Sequence, residues 1–273
     1  MRRVDWMLSA YGVVVAAVGL TRLSFPGAAL VVIAHLALPL LAWLCAHAAD
    51  APAGRFLRAY YPVILLLGLY SALDVLNRFG AVPVWDAPIM ELESTLFGGQ
   101  PARDWWRSAP STFWSTLLHA VYFSYYLIVP LPILVFAARQ RRQAIERYVD
   151  GLMATFLLCY LTYLLFPVAG PYYEFARPAG AFVANGPARL VYATLERGSA
   201  YGAAFPSSHV AATVAATVGA WRGSRHLGMI LAVPTALLAV GVVYCQMHYA
   251  IDSIAGLALG LTVPFLAAPA RRV

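Results

Sequence analysis

The chain has few charged residues and, among them, not one lysine. Charged side chains make up 11% of its 273 residues, whereas soluble domains carry about 25%. This shortage excludes an ordinary water-soluble globular fold. The net charge of +7 therefore does not indicate a nucleic-acid-binding surface, because arginines in such chains collect in cytoplasmic loops and set the orientation in the membrane.

Cysteine is scarce as well. Cys45, Cys159 and Cys245 are odd in number and lack the spacing of metal ligands, which excludes a disulfide framework and a zinc knuckle. The chain also lacks a convincing internal repeat. The apolar run after Arg2 and Arg3 resembles the start of a signal peptide but has no clear small-residue cleavage site, so we expect a retained membrane span.

Apolar sequence is what the chain has in abundance, at 62% of all residues. Runs long enough to cross a bilayer cover roughly residues 6–21, 27–47, 60–77, 113–137, 149–167, 207–221, 227–244 and 250–268. The sequence therefore predicts an all-α polytopic membrane bundle of about eight spans.

The positions of the arginine clusters predict how these spans are oriented. With eight spans, the clusters that fall on one side are Arg2–Arg3, Arg55 and Arg58, Arg139 to Arg147, Arg222 to His226, and Arg271–Arg272. We therefore expect both termini in the cytoplasm, with the connections 78–112, 168–206 and 245–249 on the outer face. The alanine-rich, lysine-free composition suggests a bacterium of high GC content, hence a bacterial inner membrane.

The connection 78–112 is too polar to span the bilayer. Its apolar residues Ile89, Leu92 and Leu96 recur at helical spacing opposite Glu91. This pattern predicts a short amphipathic helix in the outer interface, with Trp105 and Trp106 as interfacial anchors. The alternative is a simple solvated loop.

A histidine and an aspartate lie four residues apart between the last two apolar runs. If Asp252 begins a helix, this spacing places its carboxylate next to the imidazole of His248. The carboxylate then accepts from one ring nitrogen and leaves the other with a free lone pair, as a base or nucleophile requires. The alternative is an interfacial His–Asp pair that only caps a helix.

A second motif, Phe205-Pro206-Ser207-Ser208-His209, leads into the sixth apolar run. Proline and serine suit a helix start, and the free N–H groups there can bind phosphate without a lysine. His209 would then lie on the outer face at the same depth as His248, unless it is only a hydrogen-bonded interfacial histidine. Two such histidines predict a phosphoryl-transfer site, one as nucleophile and one protonating the leaving oxygen.

These motifs resemble the type 2 phosphatidic acid phosphatase superfamily, and within it the inositol phosphorylceramide synthase-like (aureobasidin-resistance) branch. That branch shares a Phe-Pro-Ser-x-His and a His-Tyr-x-x-Asp-x-x-x-Gly pattern, and its Asp…Glu…Leu-Phe-Gly segment is echoed by Asp86, Glu91 or Glu93, and Leu96-Phe97-Gly98. The resemblance covers about residues 60–265. It implies a six-helix catalytic core at 60–268, preceded by two additional transmembrane helices in 1–59.

The resemblance also implies roles for individual residues. His248 would be the nucleophile that forms a phosphohistidine, Asp252 would orient it, and His209 would be the general acid. Ser207, Ser208 and nearby backbone N–H groups would bind the phosphate. The family works without a metal, so neither a metal nor another cofactor is expected.

The chain departs from the family at the positions of two cations. Gly170 stands where the family has lysine, and Gly241-Val242 stand where it has Ser-Arg, while Arg177 fits the first motif. Cations stabilise the transition state of phosphoryl transfer. We therefore expect Arg177 to supply more of this stabilisation, unless it is a snorkelling interfacial residue. Further candidates for substrate binding are Gln246, Tyr172, Asp74 and Glu91.

The leading hypothesis is a membrane enzyme that moves a phosphoryl group or phospho-headgroup from a lipid to a lipid hydroxyl. The expected partners are a lipid phosphate or phospholipid, membrane lipids, and ceramide or diacylglycerol as acceptor, with no nucleic acid. One alternative is a metal-independent lipid phosphate phosphatase. A second alternative, prompted by the missing cations, is a non-catalytic lipid binder or transporter. The oligomeric state is not predicted.

Overall fold

The computed structural model describes residues 1–48 and 52–268. Within those ranges the regular structure is helical, apart from one isolated parallel β-bridge between Val168 and Ala203. The predicted all-α class is therefore confirmed. Arg271 and Arg272, which were predicted to lie on the cytoplasmic side, are outside the described residues.

The helices follow one another with short connections. In chain order they are α1 (Arg3–Thr21), α2 (Ala28–Leu36), α3 (Leu38–His47), α4 (Pro52–Leu76), α5 (Asp86–Phe97), α6 (Pro101–Ser108), α7 (Thr112–Phe123), α8 (Tyr125–Ile128), α9 (Leu131–Ala138), α10 (Arg142–Leu165), α11 (Pro171–Glu174), α12 (Gly186–Gly198), α13 (Ser208–Gly223), α14 (Arg225–Tyr244) and α15 (Ala250–Ala267). One 3₁₀ turn, Gly180–Phe182, precedes α12.

Most of the predicted spans appear as helices long and apolar enough to cross a membrane. Within the described ranges there are 6 such stretches: Arg3–Thr21, Ala28–His47, Gly54–Leu76, Arg142–Leu165, Arg225–Tyr244 and Ala250–Ala267. The predicted span 113–137 is broken, since Thr112–Ile128 and Leu131–Ala138 meet at a bend of 40°. Pro130 and Pro132 at this bend remove backbone donors, which explains the break.

The predicted span at 207–221 is a short internal helix. At 16 residues, α13 falls below the roughly 20 residues that cross a bilayer, and it packs against α10, α14 and α15. Two glycines of α15 permit this packing: a Cβ at Gly256 would lie 2.6 Å from the Ser207 carbonyl oxygen, and one at Gly260 would lie 2.6 Å from that of Ala211. Small residues at such an interface let helix backbones approach closely, so α13 lies at the centre of the bundle.

The long helices give the bundle two chemically different ends. Helices α10 and α14 begin in arginine-rich segments and run to the other end, from which α13 and α15 return. At the arginine end, the guanidinium of Arg222 donates to the Pro264 carbonyl and that of Arg3 donates to the Ala267 carbonyl. We call the other end, where α13 and α15 begin, the histidine end.

The first helices join the rest of the bundle through a shared apolar core. Leu8 and Tyr11 of α1 belong to the same buried cluster as Leu73 of α4 and Leu152 of α10. The buried carboxylate of Asp5 accepts from the Tyr61 hydroxyl, 2.7 Å away. A division of the chain at residue 59 stays a prediction.

The connection 78–112 contains two helices, α5 and α6, so the solvated-loop alternative is wrong. The face of α5 that packs inward differs from the predicted one. Its buried residues are Asp86, Ile89 and Glu93, whereas Leu92 and Leu96 are exposed. The two buried carboxyl groups find backbone donors at the histidine end, and this polar match decides how α5 packs.

Candidate active site

The two motif histidines face each other at the histidine end. His248 lies between α14 and α15, and His209 is the second residue of α13. Their ring centroids are 6.0 Å apart, and both rings line one small cavity of about 50 Å³. The structure thus brings together the two groups that the sequence pairs.

A backbone carbonyl sets the tautomer of His248. Its Nδ1 lies 3.0 Å from the Ala204 carbonyl oxygen and 3.4 Å from Oδ2 of Asp252. A carbonyl oxygen can only accept, so Nδ1 carries the hydrogen and Nε2 of the neutral ring keeps its lone pair. Burial lowers the pKa of His248 to about 4, which keeps this lone pair free at neutral pH.

Asp252 is fully buried in the first turn of α15. Its Oδ2 accepts the backbone N–H of Tyr249 at 2.8 Å, and its carbonyl oxygen accepts the N–H of Ser207 at 3.0 Å. Asp252 thus caps its own helix and joins the starts of α13 and α15. Its distance from Nδ1 is compatible with the predicted orienting role, which it would share with the Ala204 carbonyl.

His209 is held by aromatic rings. Tyr122 stacks on its ring at a centroid distance of 4.6 Å and an interplanar angle of 24°, and Tyr125 lies at 4.6 Å and 48°. Among the described residues no hydrogen bond reaches the His209 ring nitrogens or its amide. The amide therefore points a free N–H from the helix start, where the dipole favours an anion.

The two motif serines have different surroundings. Ser207 is the N-cap of α13: its hydroxyl accepts the N–H of Val210 at 3.4 Å, and it does not line the cavity. Ser208 does line the cavity, and its amide donates to the Tyr163 hydroxyl at 2.9 Å. Of the two serines predicted to bind phosphate, the structure therefore places one at the cavity.

The remaining cavity wall is uncharged. Besides the histidines it consists of Tyr70, Tyr122, Ala169, Tyr172, Tyr173, Leu195, Ser199, Ala200, Ala203, Ala204, Ser208 and Met247. Tyr172, a predicted substrate contact, is among them. In the described part of the chain no arginine, aspartate or glutamate reaches this wall, so the cavity offers a phosphate neutral donors only.

The missing lysine of the first motif has a steric explanation. Gly170 has φ of +92°, and a Cβ there would lie 2.7 Å from the Cβ of Ala204. No larger side chain fits this turn without displacing the strand-like segment that holds Ala204. Similarly, a Cβ at Gly241 would lie 3.2 Å from that of Leu118.

Arg177 lies behind the cavity wall and does not line it. Its guanidinium stands 4.2 Å from the ring centroid of Tyr172, and its Nη1 lies 3.9 Å from a carboxylate oxygen of Glu196. It lines a neighbouring open recess together with Arg189. Tyr172 therefore separates Arg177 from the histidine pair.

Three predicted substrate contacts are not brought to the cavity. The amide of Gln246 is buried and bonded within the protein: its oxygen accepts from Trp106 and Arg107, and its nitrogen donates to backbone carbonyls. Asp74 is exposed on α4, and Glu91 is exposed on the outward face of α5. For these residues the pattern identified polar positions whose side chains point elsewhere.

The residues that brace the site from α5 are Asp86 and Glu93. Asp86 accepts the N–H groups of Ala169 and Gly170, both at 2.7 Å, and the hydroxyl of Tyr249 at 3.0 Å. Glu93 accepts the N–H of Ile251 at 3.1 Å, and burial raises its pKa to about 7. The sequence signal was the spacing 86, 89, 93, which is also helical.

An apolar groove continues from the cavity between α4, α7 and α12. Its volume is about 410 Å³, and it shares Tyr70, Tyr122, Leu195, Ser199, Ser208 and His209 with the cavity. Leu66 and Tyr126 are typical of its other lining residues. Its position and apolar lining suit an alkyl chain whose polar end reaches the histidines.

This arrangement can carry out nucleophilic and acid–base chemistry on one group. The imidazole of His248 presents a lone pair, and the imidazole of His209 can move a proton on the other side of a reacting atom. A family model described as the PAP2 superfamily matches residues 88–265, more than half of the chain. No curated protein and no solved structure matches the chain.

Proposed function

The chain belongs to the PAP2 superfamily of type 2 phosphatidic acid phosphatases, and from this premise we propose that it is a lipid phosphotransferase. Membership makes it a membrane enzyme of the lipid phosphatase and phosphotransferase type. The proposal adds that the group passes through a phosphohistidine at His248 to a lipid hydroxyl.

In the first half-reaction, Nε2 of His248 attacks the phosphorus of the donor lipid. The new N–P bond forms as the P–O bond to the leaving group breaks, and His209 in its protonated form gives its proton to that oxygen. Burial and the neighbouring His248 lower the pKa of His209, so the imidazolium forms with the donor bound, where the anionic phosphate and the faces of Tyr122 and Tyr125 favour it. His209 is left neutral.

In the second half-reaction, His209 takes the proton of the acceptor hydroxyl. The acceptor oxygen bonds to phosphorus as the N–P bond breaks, which restores neutral His248 and protonated His209. In this proposal Ser208, which lines the cavity, and the free amide of His209 would contact the phosphoryl oxygens. Their contribution at the start of α13 is electrostatic.

The uncharged cavity wall is the observation that carries the choice of a transferase with a phosphodiester donor. A phosphate monoester has a charge of about −1.5 to −2 at pH 7. The phosphate of a diester has only one acidic oxygen and so carries a single negative charge. Desolvation cost rises steeply with charge, and among the described residues of the wall only the imidazolium of His209 can offset it. A phospholipid with a diester-linked headgroup therefore suits this cavity better than a lipid phosphate.

The acceptor side of the proposal is supported by the apolar groove. A lipid alcohol such as ceramide or diacylglycerol can place its chain there and its hydroxyl near His209. The branch proposed is the inositol phosphorylceramide synthase-like one, on the strength of its two motif patterns and of the relaxed cation positions Gly170 and Val242.

The orientation proposed is the one that the arginines favour. The arginine end of the bundle would face the cytoplasm, with both termini, and the histidine end would face the outside of a bacterial inner membrane. Residues 1–59 would be an addition to a six-helix catalytic core at 60–268.

The proposal is tested by incubating the purified protein with phospholipids and lipid phosphates. Each donor is supplied with and without ceramide or diacylglycerol, in EDTA because the family resemblance implies no metal. We expect a new phospholipid in the presence of an acceptor and no free phosphate. The His248→Gln variant is the matched negative control.

Two other results would each replace the proposal. Free phosphate released from lipid monoesters would make the protein a phosphatase. No turnover of any donor by protein that is folded would favour the lipid binder or transporter.

A further inference from the structure

One carboxylate outside the cavity receives three hydrogen bonds at once. Asp86, the first residue of α5, is 3% exposed and accepts from the amides of Ala169 and Gly170 and from the hydroxyl of Tyr249. The left-handed turn at Gly170, with φ of +92°, aims two successive N–H groups at this one side chain. A buried carboxylate with three donors holds its neighbours firmly.

The first two donors connect Asp86 to the carbonyl that holds His248. Val168 donates to the Gly202 carbonyl at 3.1 Å, and Ala204 donates back to the Val168 carbonyl at 2.9 Å. The carbonyl of Ala204 then accepts from Nδ1 of His248 at 3.0 Å. A short hydrogen-bonded ladder thus runs from the Asp86 turn to the imidazole.

The third donor approaches His248 from its other side. Tyr249 follows His248 directly in the chain, and its hydroxyl lies 3.0 Å from Oδ1 of Asp86. Glu93, two turns later on α5, accepts the N–H of Ile251. Helix α5 therefore contacts both chain segments that fix the position of the imidazole.

We propose that Asp86 is a positioning residue that sets the tautomer and orientation of His248 from outside the cavity. The inference rests on the proposed function, in which Nε2 of His248 is the attacking atom. Asp86 contacts neither His248 nor the substrate. It acts by holding the Ala204 carbonyl and Tyr249 in place, and the Ala204 carbonyl keeps the hydrogen on Nδ1.

The Asp86→Asn variant tests this role. An asparagine side chain replaces one acceptor oxygen by an N–H₂ group, which cannot accept from the amides of the turn. We expect kcat to fall about 10- to 100-fold, the range found for groups that orient metal-bound histidines. KM should change less than kcat, because every residue of the cavity wall keeps its identity and Asp86 itself does not line the cavity.

A second readout does not depend on turnover. Nitrogen-15 NMR of labelled histidine distinguishes the Nδ1–H from the Nε2–H tautomer, with the His248 signals assigned from their loss in His248→Gln. In the wild type His248 should be the Nδ1–H tautomer, and in Asp86→Asn it should become a mixture. If the wild type turns over no lipid, the proposed function fails while this measurement still decides the role of Asp86.

Two further variants keep the test decisive. Glu91→Gln changes a carboxylate on the exposed face of the same helix and should leave kcat and the His248 signals unaltered. Tyr249→Phe removes one of the three donors without a buried mismatch and should reduce kcat several-fold, which decides the matter if Asp86→Asn does not fold. The proposal would be overturned if Asp86→Asn left both kcat and the His248 tautomer unchanged. If Asp86→Asn does not fold, the same result in Tyr249→Phe would overturn it.

Discussion

The two histidines of the site are held by opposite means. His248 is buried, and polar groups fix it: a carbonyl oxygen at Nδ1 and the nearby carboxylate of Asp252. His209 contacts two tyrosine rings, and among the described residues nothing hydrogen-bonds to its ring nitrogens. One imidazole thus has a defined tautomer, while the other is oriented with both nitrogens left open.

This difference assigns the two halves of the chemistry. A nucleophile needs one lone pair with a constant direction, which the hold on His248 provides. A group that gives a proton and later takes one needs a ring nitrogen free in both protonation states, which stacking allows. The comparison predicts that replacing His248 lowers turnover more than replacing His209. It also predicts that the effect of replacing His209 depends on the substrate.

The largest effect should follow the loss of the fixed imidazole. In His248→Gln, no nucleophile remains, so we expect turnover to fall by about 10⁴-fold or more. The rate of phospholipid formation measures this, with thermal unfolding of the purified protein as a check on folding. His226→Gln, at the exposed arginine end, is the matched control; activity near wild type in His248→Gln would contradict the assignment.

The stacked imidazole should matter less, and in a substrate-dependent way. In His209→Gln we expect about 10²- to 10⁴-fold slower transfer from a phospholipid, the range of general acid catalysis. With a nitrophenyl phosphodiester, whose leaving group needs no proton, formation of the phosphohistidine should be far less impaired. An equal loss with both donors would assign His209 to a role other than acid.

The stacking of Tyr122 on His209 can be removed while both histidines are kept. Tyr122→Leu removes one ring face from the imidazolium, which costs about 1 kcal/mol and so slows transfer roughly fivefold. Tyr122→Phe keeps the face and should stay near wild type. A larger loss in the phenylalanine variant would show that the tyrosine hydroxyl, and not the ring, is what matters.

The smallest expected effect concerns pH. Burial lowers the pKa of His248 to about 4, so protonation takes away the Nε2 lone pair only as the pH falls through that value. We expect kcat/KM to change little between pH 8 and pH 6 on account of this group, and to fall toward pH 4. A loss of kcat/KM with a midpoint near 6.5, the value of a free histidine, would mean that His248 is not held as described.

Sequence patterns predicted the elements of this site better than their packing. The arginine clusters and the apolar runs were enough to place His209 and His248 at one end of the bundle. They could not show that α13 is short and internal, because hydropathy does not distinguish a helix surrounded by lipid from one surrounded by helices. That depended on Gly256 and Gly260 of α15, whose effect appears only when α13 is packed against them.

Side-chain directions were the least predictable part. On α5 both Glu91 and Glu93 occupy plausible helical positions, and only the donor at Ile251 decides which one packs inward. The contact between the Ala204 carbonyl and His248 could not be predicted from the sequence. A β-bridge brings this backbone oxygen close to the imidazole, and that requires no particular side chain. The sequence shows that Gly170 stands where the family has lysine. It does not show the reason, because the positive φ of Gly170 is a property of the folded turn.

The most direct test of the central claim is to locate the covalent intermediate. Purified protein is mixed with a phospholipid donor in the absence of acceptor, quenched in base because phosphohistidine is labile in acid, and mapped by peptide mass spectrometry. The account predicts an adduct on His248 with the mass of the phosphoryl group plus the ester group that stays on it. This adduct disappears in His248→Gln and persists when His209 is replaced and a nitrophenyl phosphodiester is the donor. An adduct on His209, or transfer without any adduct on His248, would contradict it.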